Sequence, residues 1–205
     1  MKGVLKMKNL AKISTYLLVI TLILSVLPTD AEANIYEDTI RLHILANSDS
    51  AEDQELKIFV RDKLLLEYGE RLRLAGSFEN AEELTRQLIP AIEDYAERIV
   101  LEAGYEYPVR ALVSEEWYET RDYDGFSLPC GYYTSLQIII GDGEGKNWWC
   151  VMYPPLCTEL ATEDAPGDDG LIDYTREELI LISEGKYNLK FKILEDLSRV
   201  FAKNS

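Results

Sequence analysis

The feature that most restricts the fold is a change of hydrophobic period near Gly104. Upstream of it, apolar residues recur every three or four positions, as on the buried stripe of a helix. Leu56, Val60, Leu64 and Tyr68 form one such series, and Leu84, Leu88, Ile92, Tyr95, Ile99 and Val100 form a second. Ser50 is placed to cap the first helix, with Asp53 three residues on like the acid of a capping box, and Gly69 or Gly76 closes it. The second starts near Asn80, with Glu83 three residues later, and ends at Gly104; Pro90 inside it should kink or split it, because proline has no N–H and crowds the preceding turn. Downstream the period becomes two. Residues 107–121 read as one long or two short strands, and 132–140 and 147–153 as two more. An earlier stretch, 39–46 (TIRLHILA), alternates Ile40, Leu42 and Ile44 against Arg41 and His43 and reads as a half-buried strand. Residues 141–146 (GDGEGK) read as a flexible hairpin connection. Residues 158–173 form an acidic loop, and Leu189, Ile193, Leu197, Val200 and Phe201 mark a closing helix over Tyr187–Lys203. Strands on short links pair antiparallel. The expected fold is therefore α+β: a single domain with a mainly antiparallel sheet of about four strands and helices packed on one face.

The first 33 residues belong to a different problem. Lys2, Lys6, Lys8 and Lys12 precede an uncharged run of 15 residues, Ile13 to Leu27, followed by Pro28 and by Ala31-Glu32-Ala33. A basic start, a short apolar centre and a small-residue exit are the pattern of a secretory signal. The run reaches about 22 Å as a helix, short of a ~30 Å hydrocarbon core. It reads as a signal peptide cleaved after Ala33 or as an uncleaved N-terminal anchor, leaving residues 34–205 as an extracytoplasmic domain. The chain carries a net charge of −16, and residues 34–205 alone carry 17 basic against 35 acidic side chains, a net −18. That excludes a nucleic-acid role, which needs a basic face, and argues against adhesion to anionic lipid. It fits a basic or cation-bearing partner, or simply a solvated acidic surface.

No motif supports a cofactor. The glycine run 141–146 lacks the first glycine and the Ser/Thr of a P-loop, and Asp142 and Glu144 would repel phosphate. Asp122-x-Asp124-Gly125 and the acids of 164–173 supply oxygen ligands without calcium-loop spacing. One histidine and three cysteines with no C-x-x-C are a poor zinc set, so no metal is expected. Cys150 and Cys157 would close an eight-residue loop if bridged outside the cell, worth about 2.5 kcal/mol in chain entropy. Cys130 would then be left over. His43 with a cysteine, oriented by Asn47 or Asp49, is the one nucleophilic pair the chain offers, although no nucleophile signature surrounds any cysteine. Trp148 and Trp149 must face opposite sides of their strand. One should enter the core, while the other, near Tyr132, Tyr133 and Tyr153, would anchor an interface; a two-sided core could instead hold both.

Two blocks go beyond patterning: IRLHILANSDSAEDQELKIFVRD at residues 40–62 and GDGEGKNWWCVMYPPLC at residues 141–157. Together with their separation, the N-terminal segment and FKILED at 191–196, they resemble the stage II sporulation protein R family. The resemblance implies an exported signalling protein, made in the forespore and released into the space between forespore and mother cell. There it would trigger a membrane-embedded aspartic protease that processes the sigma-E precursor. It implies no catalysis and no cofactor in this chain. The family supplies no list of contact residues. Physical grounds select Arg41, His43, Asn47 and Asp49 at one strand end, and Asn147, Trp148 and Trp149 after the glycine loop, as one recognition patch. Alternatively, Asn47, Ser48 and Ser50 only cap the helix and hold the turn. The competing functions are an extracytoplasmic cysteine hydrolase using His43 and a cell-envelope structural protein.

Overall fold

Local capping chemistry sets the two long helices. The structure, a computed structural model, describes residues 2–24, 30–123 and 126–154. Ser50 Oγ accepts the Asp53 N–H at 3.1 Å and opens α3 (Ala51–Arg73), numbered after α1 (Lys2–Leu24) and α2 (Asp30–Glu37). Leu56, Val60, Leu64 and Tyr68 lie on its buried side, as their spacing predicts. Gly76, not Gly69, follows its end; Gly69 is buried inside the helix. Ser77 caps α4 (Phe78–Glu102) by accepting the Asn80 N–H, so the helix begins slightly before the expected Asn80. α4 runs unbroken through Pro90, which is exposed. The expected split is absent because Ile92, Ala96, Ile99 and Val100 beyond the proline are all buried in the core and hold the second half in place.

The strands are β1 (Ile40–Leu45), β2 (Val109–Tyr118), β3 (Arg121–Tyr123), β4 (Phe126–Leu128), β5 (Gly131–Ile140) and β6 (Asn147–Tyr153). β3 and β4 form a separate two-stranded ribbon, and the others form one open sheet in the order β2-β5-β1-β6. β2–β5 and β1–β6 pair antiparallel, and β1–β5 pairs parallel. The α+β class holds, with one departure from all-antiparallel pairing. β1 reaches the rest of the sheet through two helices rather than a short link, and such a crossover permits a parallel neighbour.

This order corrects two expectations. β5 and β6 are not a hairpin, because β1 lies between them and the 141–146 loop crosses over its end. β1 is also not half-buried: from Ile40 to Ile44 every residue is buried, since a central strand is covered on both faces. Leu42 and Ile44 face α3 and α4 together with Leu136, Ile138, Val109, Ala111 and Cys150. Arg41 and His43 face the other side.

α2 was not expected, and it spans Ala31-Glu32-Ala33. Past those residues Ile35 is fully buried, and Tyr36 packs edge-to-face on Tyr133 with ring centroids 5.2 Å apart. α1 is different. Ile13, Tyr16, Leu17, Leu18, Ile20 and Leu22 are all more than half exposed. No helix among the described residues is long and apolar enough to cross a membrane. The acidic loop 158–173, the closing helix expected at 187–203 and Cys157 lie outside the described residues.

Candidate functional site: the sheet face away from α3 and α4

The side of the sheet away from α3 and α4 carries Arg41 and His43 of β1, Ser114 and Glu116 of β2, and Ser135 and Gln137 of β5. Register brings them together row by row. His43 lies beside Gln137 on one side and Trp149 on the other, and Arg41 lies between Ser135 and Val151. Ser114 lies across from Ser135 on β2, and Glu116 and Tyr118 project from the same side of that strand.

At the centre, His43 Nδ1 meets both oxygens of Glu116 at 3.0 and 3.1 Å. Tyr118 donates to Glu116 at 3.3 Å and shares a 2.7 Å hydrogen bond with Ser135. Burial pushes the Glu116 carboxyl up, but hydrogen bonds from His43 and Ser135 outweigh it and hold the group below the usual carboxylate range. Burial pushes the Tyr118 phenol far above its ordinary value, so it stays a neutral donor. With Nδ1 turned to the carboxylate, His43 Nε2 is buried and makes no hydrogen bond.

Aromatic rings and cations extend this centre in both directions. The His43 and Trp149 rings stack with centroids 5.7 Å apart, and the Arg121 guanidinium lies 4.1 Å from the Trp149 centroid. On the other side, fully buried Arg41 is 4.3 Å from the Tyr118 centroid and 5.1 Å from that of Tyr133. Stacking on rings suits a guanidinium, which is planar and more weakly hydrated than an ammonium.

The seven residues selected from sequence thus separate. Arg41, His43 and Trp149 share the face away from α3 and α4. Trp148 takes the opposite face, under Arg61 of α3 at 4.4 Å; both tryptophans are partly buried, so neither is a freely exposed anchor. Asn147 is exposed at the start of β6. Asn47 and Asp49 do not orient His43. They lock the glycine loop onto the end of β1: Asn47 Oδ1 accepts the Asp142 N–H at 3.1 Å, and Asp49 Oδ1 accepts the Lys146 N–H at 2.7 Å. Backbone bonds from Gly145 N to Ala46 O (2.9 Å) and from Glu144 N to Asn47 O (3.2 Å) complete the clasp. Asp53 does not close a capping box with its carboxylate. It accepts instead from Asn47 Nδ2 (2.9 Å) and Ser48 Oγ (2.6 Å). Burial raises its pKa, but these bonds and one from Tyr107 bring it below the usual range. The capping reading of Asn47, Ser48 and Ser50 therefore describes the turn better than a patch does.

Sequence reasoning missed Glu116 and the exposed aromatic pair Trp117–Tyr132; Tyr133 and Tyr153, expected beside an exposed tryptophan, are buried. The available signal for Glu116 was its parity, since it shares a strand face with Ser114 and Tyr118. Cys150 lies across from Leu42 on the helix side of the sheet, so its sulfur and the His43 ring are on opposite faces. Cys130 is buried just before β5, beside Tyr36, whose hydroxyl donates to its carbonyl at 3.0 Å. Among the described residues no three His, Cys, Asp or Glu side chains cluster to hold a metal.

Glu116→Gln should alter the acid limb of stability. A carboxyl whose folded pKa is depressed stabilises the fold above its unfolded value, here 4.5, and loses that contribution as pH falls through the folded value. The variant should be less stable by about 1–3 kcal/mol at pH 7, with the difference shrinking below pH 4.5. Urea titrations at several pH values measure it, and a pH-independent difference would refute the assignment.

The family model described as stage II sporulation protein R matches residues 36–163 of this chain. Stage II sporulation protein R of Bacillus subtilis (strain 168) is 32% identical over 167 residues, which cover 80% of this chain and 69% of that protein. No solved structure matches.

Proposed function

Because the chain belongs to the stage II sporulation protein R family, we propose that it is an exported signal between the two compartments of a sporulating cell. Made in the forespore, it enters the space between forespore and mother cell and activates a membrane-embedded aspartic protease, which processes the sigma-E precursor. The chemistry belongs to that protease, and this chain contributes tighter binding to the protease's active state than to its resting state. The observation that carries the export half is α1: its described apolar side chains, from Ile13 to Leu24, are exposed to solvent. Such a surface calls for lipid or an export channel. Loss of the chain up to Ala33 would leave Ile35 and Tyr36, the residues of α2 that pack on the body.

The sheet face away from α3 and α4 supports the activation half. It offers a partly buried Trp149 stacked on His43 and flanked by the Arg121 guanidinium, the kind of aromatic anchor that dominates binding hot spots. The cysteine-hydrolase reading has no such support, since Cys150 faces away from His43.

Deleting Lys2–Leu24 should retain the protein in the forespore and leave the sigma-E precursor unprocessed in the mother cell; normal processing by the unexported protein would overturn the proposal. The two tryptophans should separate. Trp149→Ala should lower activation about tenfold or more, beyond what the lost packing on His43 and Arg121 takes from the melting temperature. Trp148→Ala should chiefly lower the melting temperature, because it removes packing beneath Arg61. Immunoblots of precursor and product beside thermal melts read both.

A further inference from the structure

β2 forms one edge of the sheet. Gly141 N–H donates to the Pro108 carbonyl at 2.8 Å, which fixes the phase of the β2–β5 ladder. Even-numbered residues of β2 bond inward, and odd-numbered ones turn their N–H and C=O outward. Ala111 agrees, because its N–H leaves the sheet and donates to Glu93 Oε2 of α4 at 2.8 Å. The next three outward positions, Val113, Glu115 and Trp117, have no such cover: among the described residues, their backbone groups make no hydrogen bond to any other segment.

Long edges are normally blunted by lysine, proline, a bulge or shortness. β2 is ten residues long, contains neither lysine nor proline, and keeps an unbroken register with β5 throughout. The side chains beside the open stretch carry a message of their own. Val113, Glu115 and Trp117 share one face, and Trp117 meets Tyr132 edge-to-face at 5.2 Å. Trp117 is 39% and Tyr132 58% exposed, the most open aromatic pair among the described residues of the sheet. Next to them Glu115 is exposed.

We propose that this edge takes an extended segment of a partner protein as a fifth strand. The recognised segment carries a basic residue two positions from an aromatic or aliphatic one. The basic side chain pairs with Glu115, the apolar one packs on Trp117–Tyr132, and the backbone groups of residues 113, 115 and 117 supply the ladder. A second copy of this chain is a poorer occupant. Antiparallel self-pairing about Glu115 sets two carboxylates opposite each other, and pairing about Val113 needs the Ala111 N–H that Glu93 already holds. The net charge of −16 on each copy opposes it further. This site is separate from the His43–Trp149 face and does not depend on which protein that face engages.

The test uses the full chain, ¹⁵N-labelled, with a blocked peptide alternating threonine with lysine, phenylalanine and lysine as probe. At millimolar peptide the amides of Val113, Glu115 and Trp117 should exchange with solvent about tenfold more slowly, while those of Leu112, Ser114 and Glu116 stay unchanged. Val113→Pro removes an outward donor without touching the inward ladder, and should weaken peptide binding about tenfold. Glu115→Lys leaves the backbone intact and should reverse the preference, so that a peptide with glutamate in place of lysine binds better. Absence of protection at the three amides overturns the proposal. So does equal affinity of the native chain for the basic and acidic peptides, or binding that Glu115→Lys leaves unchanged.

Discussion

Gly145→Ala is expected to destabilise the domain by about 2–4 kcal/mol, a melting-temperature loss of roughly 5–15 °C in a chain of this size. A Cβ at position 145 would overlap the backbone carbonyl of Ser48, which cannot swing aside as a flexible side chain would. The loop would have to lift, breaking the Gly145–Ala46 and Glu144–Asn47 backbone bonds together. Gly141 is constrained in the same clasp: its φ is +60°, and a Cβ there would strike the Asn47 side chain. Gly76→Ala is the control. It also has positive φ, but nothing lies within 4 Å of an added Cβ, so its cost should stay near 1 kcal/mol. Equal effects of Gly145→Ala and Gly76→Ala in calorimetry would show that the clasp is not what holds β1 and β6 in register.

The second large effect is expected at Arg41. Its side chain is fully buried near the start of β1, against the rings of Tyr118 and Tyr133. Arg41→Ala should cost about 3–5 kcal/mol, through the cavity and the lost stacking on both rings. Arg41→Met keeps most of the volume and should recover part of that loss. Denaturant midpoints for the two variants decide the matter. A loss under about 1 kcal/mol for Arg41→Ala would mean that the neighbouring rings close over the space, contrary to the close packing described here.

What could be read from sequence follows the range of the interaction that fixes it. The Ser50 cap is decided within three residues and was legible, as were the buried stripes of α3 and α4. Pro90 misled because its local penalty is outweighed by core contacts further along the helix. Glu116 and His43 lie 73 residues apart in sequence, and only the parallel β1–β5 register brings them within reach. Nothing local announces that register. The same register turns 141–146 from an apparent hairpin into a crossover, and turns Asn47 and Asp49 from candidate contacts into the other half of its clasp. The two blocks that carry the family resemblance are thus bonded to each other, so much of their distinctive character is structural. Arg41 and His43 in the first block and Trp149 in the second are the exceptions, meeting on the face away from α3 and α4.

Membranes carrying the mother-cell aspartic protease and its sigma-E precursor, supplied with the purified chain on the face that meets the intermembrane space, give the most direct measurement. Cleavage of the precursor should appear only when the chain is added, and should fall about tenfold with Trp149→Ala. Equal cleavage without the chain, or none in its presence, would contradict an activating role.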